Sequence, residues 1–114
     1  MDIEVFRDFC LSLSHTTESF PFGPNTLVFS VGGKMYALTD IETFESVNLK
    51  CDPEKAIELR ETYPGVQPGY HMNKKHWNTV SFHANIPDNL IRSWVTDSYT
   101  LVKAGLPRSI RDTL

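Results

Sequence analysis

The densest group of side chains able to bind a ligand lies in residues 69–80, which read Gly-Tyr-His-Met-Asn-Lys-Lys-His-Trp-Asn-Thr-Val. Lysine ammonium groups bind phosphate oxygens, and an exposed aromatic ring such as that of Tyr70 or Trp77 can stack on a base. The segment therefore has the chemistry of a nucleic-acid contact. The alternative is that Trp77 and Val80 are core-facing strand residues, while Lys74 and Lys75 only solubilise an exposed turn.

The two histidines of this segment do not by themselves predict a metal site. His71 and His76 are five positions apart, which would place them on opposite faces of a strand. No carboxylate or thiolate accompanies them within the segment, whereas metal sites usually gather three or four good ligands. We expect neither a metal nor another cofactor.

No motif predicts a catalytic centre, since GxSxG, HExxH, a P-loop and a GxGxxG following a strand are all absent. Cys10 falls on the apolar stripe of the first predicted helix, where a buried thiol is unreactive. Cys51 precedes a predicted helix N-terminus, which would favour a more reactive thiolate, but no base lies near it in the sequence. We expect a binding protein that is not an enzyme. A small enzyme or metal-binding protein stays open as an alternative.

The net charge of −3 is divided unevenly along the chain. Residues 1–52 carry three bases against eight acids, whereas residues 53–114 carry eight bases against six acids. Nucleic-acid binders are usually basic overall because phosphate neutralisation supplies most of their affinity, so such a contact here would need a local patch. The acidity equally suits a protein-interaction or regulatory module with no nucleic-acid activity.

Length and composition predict a single domain over residues 1–114. No apolar run approaches the roughly 20 residues that span a bilayer, and the acidic start Met1–Glu4 is unlike a secretory signal. The two cysteines form no CxxC pair. These features predict a cytoplasmic protein that is not associated with a membrane.

Residue periodicity predicts an α+β fold with an antiparallel sheet and helices packed on one face. Gly32-Gly33 between two β-rich runs predicts a hairpin of strands 26–31 and 34–39, because a two-residue primed turn needs positive φ at both positions. Its predicted pairs are Val31 with Lys34, Phe29 with Tyr36, and Leu27 with Leu38. The remaining predicted elements are a helix over about residues 2–14, strands at 18–22, 45–50 and 76–82, a helix from Asp52-Pro53, and a long helix after Pro87 with Leu101 among its inward-facing residues.

The run His71-Met-Asn-Lys-Lys-His-Trp77 resembles the signature of the MmcQ/YjbR family, in which a histidine, a hydrophobic residue, Asn, Lys and then His-Trp lead into a strand. The amphipathic first helix, the Gly-Gly hairpin, the Asp-Pro-Glu-Lys helix start and Ile86-Pro87-Asp88 before the long helix resemble the family too. The resemblance covers nearly the whole chain.

The resemblance implies a CyaY-like fold and binding of double-stranded DNA through the "double wing" arrangement of strands and hairpins described for the family. Carried onto this sequence, the signature points to His71, Asn73, Lys74, Lys75, His76 and Trp77. Lys74 and Lys75 would contact phosphate and Asn73 a base edge, whereas Trp77 would anchor the loop. Four arginines are candidate supports if the fold brings them to the same face: Arg60, Arg92, Arg108 and Arg111.

Overall fold

The computed structural model describes every residue from Met1 to Leu114. Four helices and six strands follow one another along the chain. They are α1 (Ile3–Ser12), β1 (Thr16–Ser19), β2 (Thr26–Val31), β3 (Lys34–Asp40), β4 (Ser46–Lys50), α2 (Pro53–Thr62), β5 (Val66–Pro68), β6 (Trp77–Ser81), α3 (Asp88–Ala104) and α4 (Arg108–Arg111). No helix is both long enough and apolar enough to cross a bilayer.

The strands form one antiparallel sheet in the order β1-β2-β3-β4-β6-β5. Its covered face packs against α1, α2 and α3, and the main core cluster joins Phe6 and Cys10 of α1, Leu59 of α2 and Val95 of α3 to strand residues. A much smaller cluster of Val28, Leu38 and Trp77 lies on the opposite, open face. The structure confirms the predicted α+β architecture with helices on one side.

The β2–β3 hairpin turns as predicted but changes register beyond its first residues. Gly32 and Gly33 have φ of 57° and 81°, and Val31 pairs with Lys34. A bulge then sets Phe29 opposite Ala37 and Val28 opposite Leu38, so the predicted pairs Phe29–Tyr36 and Leu27–Leu38 are wrong. Since a one-residue shift exchanges the two faces of a strand, Leu38 lies on the open face and not with the main core.

A serine from α3 occupies the place where the bulge interrupts the sheet. The fully buried Ser98 Oγ donates to Tyr36 O at 2.5 Å and accepts from Lys50 N at 2.9 Å. The β3–β4 ladder itself extends only over Ala37–Thr39. A helix hydroxyl thus satisfies backbone groups that ladder bonds would otherwise satisfy, as buried backbone groups require.

Other predicted elements need smaller corrections. The edge strand β1 is Thr16–Ser19 and not 18–22, and β5 was missed because its three residues lie in a Pro- and Gly-rich stretch. Leu101, predicted to face inward, is 39% exposed, and Tyr99 is buried instead. The Asp52 carboxylate caps α2 as predicted, accepting from Glu54 N and Lys55 N.

The C-terminal segment closes over the tip of the β2–β3 hairpin. A Cβ added at Gly32 would lie 2.5 Å from Leu106 Cδ1 and 3.2 Å from Ile110 Cγ2. Position 32 therefore needs glycine both for its φ and for the close approach of α4. The hairpin tip and the basic segment Arg108–Arg111 consequently lie at the same end of the molecule.

Candidate functional site

The predicted site is a loop that connects β5 to β6, and we call residues 69–76 the signature loop. Backbone bonds close it at its base, where Gly69 N donates to Trp77 O at 2.8 Å. Asn73 forms its inner turn: its Oδ1 accepts from Lys75 N at 2.9 Å and its carbonyl accepts from Trp77 N at 2.9 Å. The Asn73 side-chain oxygen, predicted to read a base edge, therefore shapes the turn.

Arg60 and Lys74 also brace this loop. Arg60 Nε donates to the side-chain oxygen of Asn78 at 2.7 Å, and its Nη2 donates to the carbonyl of Lys74. Lys74 Nζ donates to Gly69 O at 3.1 Å, across the loop. The structure brings Arg60 and Lys74 together, which was the condition for Arg60 to act as a support, but it commits both side chains to backbone and amide oxygens. Lys75 is the exposed cation of the loop whose side chain has no protein partner.

The aromatic and histidine residues of the signature lie in different environments. Trp77 is 7% exposed and packs with Val28 and Leu38, so it anchors the loop to the open face of the sheet. His76 is half-buried and its carbonyl accepts from Cys51 N at 2.8 Å. His71 is exposed with φ of 58°, and its ring lies 4.0 Å from that of Tyr70. Both histidines precede β6, so the strand geometry predicted for them is wrong.

The other predicted arginines lie on α3 and α4 and make no contact that braces the signature loop. The face of α3 towards α2 carries Trp94, whose ring meets Tyr63 at 5.1 Å. Arg92 lies two turns before Tyr99 and on the same face, and the Tyr99 hydroxyl donates to Ser14 O just beyond α1. Arg92 is thus on the side of α3 away from α2. Arg108 and Arg111 lie on α4 at the hairpin tip.

A cluster of cations that the sequence analysis did not single out forms at this same end. Lys34 at the start of β3 and Lys50 at the end of β4 line a cleft of about 310 Å³, here called the lysine cleft. No carboxylate lines it, and neither lysine forms an ion pair. The other lining residues are Met35, Trp77, Leu101, Val102 and Gly105.

Two further lysines are close in the sequence to residues that line the lysine cleft. Lys75 is two residues before Trp77, and Lys103 follows Val102. Lys103 Nζ lies 5.7 Å over the Tyr99 ring, so it is directed along α3. The sequence does contain a hint of this cluster, because Lys34 is the hairpin's single base and Lys50 ends an alternating strand. Only the antiparallel order of β3, β4 and β6 shows that these ends coincide.

The cysteines offer little nucleophilic chemistry. Burial raises the pKa of Cys51, and the nearby Asp52 and Asp97 carboxylates raise it further, so its position before α2 does not produce a reactive thiolate. Burial raises the pKa of the Cys10 thiol to about 12. No group of three or more His, Cys, Asp or Glu side chains lies together as a metal would require.

Comparison with known sequences connects this fold to a named family. The YjbR family model matches residues 11–101. The chain is 39% identical to YbdF of Escherichia coli O157:H7 over 106 residues, which covers 92% of this chain and 87% of the relative. It is 30% identical to YjbR of Escherichia coli K12, covering 100% of this chain and 98% of that protein. Both relatives are described as uncharacterised.

Solved structures agree with the sequence comparison. A Deinococcus radiodurans crystal structure with a DUF419 domain superimposes with a TM-score of 0.90 at 42% identity, over 98% of this chain and 86% of that one. A Pseudomonas syringae crystal structure superimposes with a TM-score of 0.75 at 30% identity, over 90% of this chain and 99% of that one. Sequence and fold together confirm the resemblance found in the signature loop. The chain belongs to the YjbR family.

Proposed function

We propose that this protein is a non-catalytic DNA-binding domain and that it contacts phosphates at the lysine cleft. The observation that carries the proposal is the meeting of Lys34 and Lys50 without a neighbouring carboxylate in the cleft lining. Unpaired ammonium groups on a common surface are the usual means of binding a phosphate backbone, because their association with DNA releases condensed counterions.

The cations around the cleft extend this surface. Lys75 is exposed on the last turn of the signature loop, and Arg108 and Arg111 lie on α4 beyond the hairpin tip. Arg108 shares its charge with Asp112 at 3.5 Å, and both side chains remain largely exposed to solvent. A surface ion pair of this kind is weak, so Arg108 can exchange its carboxylate for a phosphate.

This proposal moves the main contacts away from Asn73 and Lys74. Those residues hold the signature loop in place, and their contribution to DNA binding is to position Lys75. Most of the binding surface comes from backbone-directed cations, so we expect affinity for many duplex sequences and little discrimination among them.

The test is fluorescence anisotropy of a labelled duplex titrated with the protein at several salt concentrations. About three neutralised phosphates predict that log K falls with log salt with a slope near −3, since each phosphate contributes about 0.9. The Lys34→Gln/Lys50→Gln variant should weaken binding to every duplex and reduce that slope by about 2. Lys34 is exposed and Lys50 is half-buried, and neither ammonium group forms an ion pair, so folding should be preserved.

A matched control removes two cations elsewhere. Arg7 is paired with Glu18, and Arg92 lies nine residues before Leu101, or roughly 14 Å along the helix axis. Arg7→Gln/Arg92→Gln makes the same change in net charge and should leave the slope unaltered. Equal weakening by both double variants, or no binding by the wild type at low salt, would overturn the proposal.

A protein-interaction module is the second candidate, and one observation favours it. Phe20 and Phe22, in the turn between β1 and β2, are 47% and 61% exposed. Exposed aromatic rings are enriched at protein interfaces. If the duplex titration shows no binding while a nuclease-treated pulldown retains a stoichiometric protein that the Phe20→Ser/Phe22→Ser variant loses, this second function replaces the first.

A further inference from the structure

The largest cleft of the molecule lies on the open face of the sheet, away from the lysine cleft. It has a volume of about 460 Å³, and we call it the aromatic cleft. Its floor is formed by strand residues and its walls by the β1–β2 turn and the signature loop. The lining residues are Phe22, Thr26, Leu38, Thr39, Asp40, Ser46, Asn48, Tyr70, His71 and Met72.

Two aromatic rings stand exposed at its walls. Phe22 is 61% exposed and Tyr70 is 67% exposed, whereas large aromatic side chains are more often buried. Tyr70 is held in place through its backbone, because Tyr70 N donates to Thr79 Oγ1 at 2.9 Å. The Thr79 hydroxyl in turn donates to Asn48 Oδ1 at 2.5 Å, which connects the wall to the floor.

The loop is held in an unusual conformation at the rim. His71 lies in the left-handed region with φ of 58°, a conformation that a non-glycine residue keeps only where surrounding contacts hold it. Met72, the next residue, packs against the Trp77 cluster. These contacts fix the loop over the sheet and keep Tyr70 and His71 at the mouth of the cleft.

Several polar groups on the floor have no partner within the protein. The Asp40 carboxylate accepts from Glu42 N and Thr43 N through Oδ1 alone, at 2.8 and 3.1 Å. Its Oδ2 is free, as are the hydroxyls of Thr26 and Ser46. Asn48 uses only its oxygen, so its amide nitrogen is free too. The floor therefore offers two free hydroxyls and one amide N–H donor beside a carboxylate whose Oδ1 is held by the turn.

The carboxylate of Asp40 supplies the fixed charge of the cleft lining. The three segments that enclose it, residues 20–26, 38–48 and 69–72, contain Asp40, Glu42 and Glu45 but no lysine or arginine. Asp40 is the only carboxylate in the lining itself. A carboxylate flanked by accessible aromatic faces is the arrangement that attracts an organic cation, through charge pairing and the negative face of each ring.

We propose that the aromatic cleft binds a small organic cation, a primary ammonium carried on an aryl or alkyl group. The ammonium pairs with Asp40 Oδ2 and donates to the floor hydroxyls, while the apolar part lies between Phe22 and Tyr70. Clefts of this volume bind small molecules with a few polar groups that fix orientation. This site is separate from the lysine cleft and does not depend on DNA binding.

The test uses three probes of the same shape: 2-phenylethylamine, 2-phenylethanol and phenylacetate. Each is titrated into isotope-labelled full-length protein, and amide chemical shifts are followed by NMR. We expect the amine to bind with a Kd on the order of 1 mM and to shift the amides of Asp40, Asn48 and Tyr70. The alcohol should bind on the order of tenfold more weakly, and the carboxylate should not bind.

Two isosteric variants isolate the charge. Asp40→Asn keeps the turn acceptor at Oδ1 and removes only the carboxylate charge, so it should fold and lose about tenfold in amine affinity. Glu42→Gln removes an exposed charge in the neighbouring turn that does not line the cleft, and it should bind as the wild type does. Tyr70→Ala, at an exposed ring, should weaken binding of both the amine and the alcohol.

The proposal is overturned if the amine shifts no cleft amide at about 10 mM, if amine and alcohol bind equally, or if Asp40→Asn keeps the wild-type affinity. Preferential binding of the carboxylate would also overturn it. The DNA titration of the same Asp40→Asn protein should be unchanged, so failure of one proposal is distinguishable from failure of the other.

Discussion

The aromatic cleft and the lysine cleft occupy opposite ends of one sheet and differ in charge, volume and lining. The first is lined where β3 ends at Asp40 and β4 begins at Ser46, and the second where β3 begins at Lys34 and β4 ends at Lys50. Because the strands are antiparallel, each end of the sheet collects the start of one strand and the end of its neighbour.

The two clefts meet at the small cluster on the open face. Leu38 lines the aromatic cleft, Trp77 lines the lysine cleft, and the two side chains pack together with Val28. A protein with a net charge of only −3 can therefore present a negative site and a positive site without conflict. Net charge is thus a poor guide to partners when an apolar cluster separates charges of opposite sign.

Removing the Trp77 side chain, which lies between the two clefts, should have the largest effect on stability. Trp77→Ala deletes an indole that is 7% exposed and should cost about 3–5 kcal/mol of unfolding free energy, because it leaves a cavity beneath the signature loop. Urea denaturation measures the change, and Phe22→Ala at an exposed ring is the control, with a loss below about 0.5 kcal/mol. Equal losses in the two variants would show that the cluster does not support the open face.

Raising the pH should destabilise both clefts together by weakening the core on the covered face. The pKa of the buried Cys10 thiol is raised to about 12, so the folded state retains a proton that the unfolded state loses above about pH 9. Stability is therefore full below pH 9 and falls as pH rises towards 12, by about 1.4 kcal/mol per unit. Burial also raises the pKa of Tyr36, and this adds a loss of the same sign.

Unfolding free energies from urea titrations at several pH values between about 8 and 11 would measure this slope. Cys10→Ala removes the thiol and should flatten the profile while lowering stability at neutral pH. A wild-type profile that stays level to pH 11 would contradict the assignment of the thiol to the protonated state.

Arg60→Ala should loosen one cleft and spare the other. Asn78 is 2% exposed, and loss of the arginine leaves its side-chain oxygen without a partner, at a cost of about 1–3 kcal/mol. The variant also frees the carbonyl of Lys74, so the wall formed by Tyr70 should lose order and amine binding should weaken. Binding of DNA should weaken less than amine binding, because Lys34 and Lys50 lie outside the signature loop and only the contact of Lys75 is affected.

Lys55→Ala, at an exposed position on the same helix, is the matched control and should alter unfolding free energy by less than about 0.5 kcal/mol. Urea denaturation and the two binding titrations measure all three quantities. Loss of DNA binding as large as the loss of amine binding in Arg60→Ala would mean that the clefts are not independent.

Local patterns predicted the elements whose causes are local. The Gly32-Gly33 turn and the Asp52 cap depend on residues next to one another, and both occur as predicted. The strand β5 lacks such a signal, since its three residues pair with β6 only after the signature loop has brought them together. Its existence depends on tertiary contact, which periodicity does not contain.

The site was harder to predict because the role of each residue depends on partners that are distant in the sequence. Lysine is a residue type that commonly binds phosphate, but the ammonium group of Lys74 forms a hydrogen bond within the signature loop. Lys34 and Lys50 are sixteen positions apart and meet only across the sheet. The register error at Tyr36 has the same origin, since the serine that fills the bulge lies on α3.

That serine has a consequence for how the sheet exchanges its amide hydrogens. The Lys50 amide belongs to a strand, yet its hydrogen-bond acceptor is Ser98 on α3. Its protection against solvent deuterium therefore reports the opening of α3 from the sheet and not the opening of a strand ladder. A single resonance in an exchange experiment thus follows the docking of the long helix beside the lysine cleft, independently of any ligand.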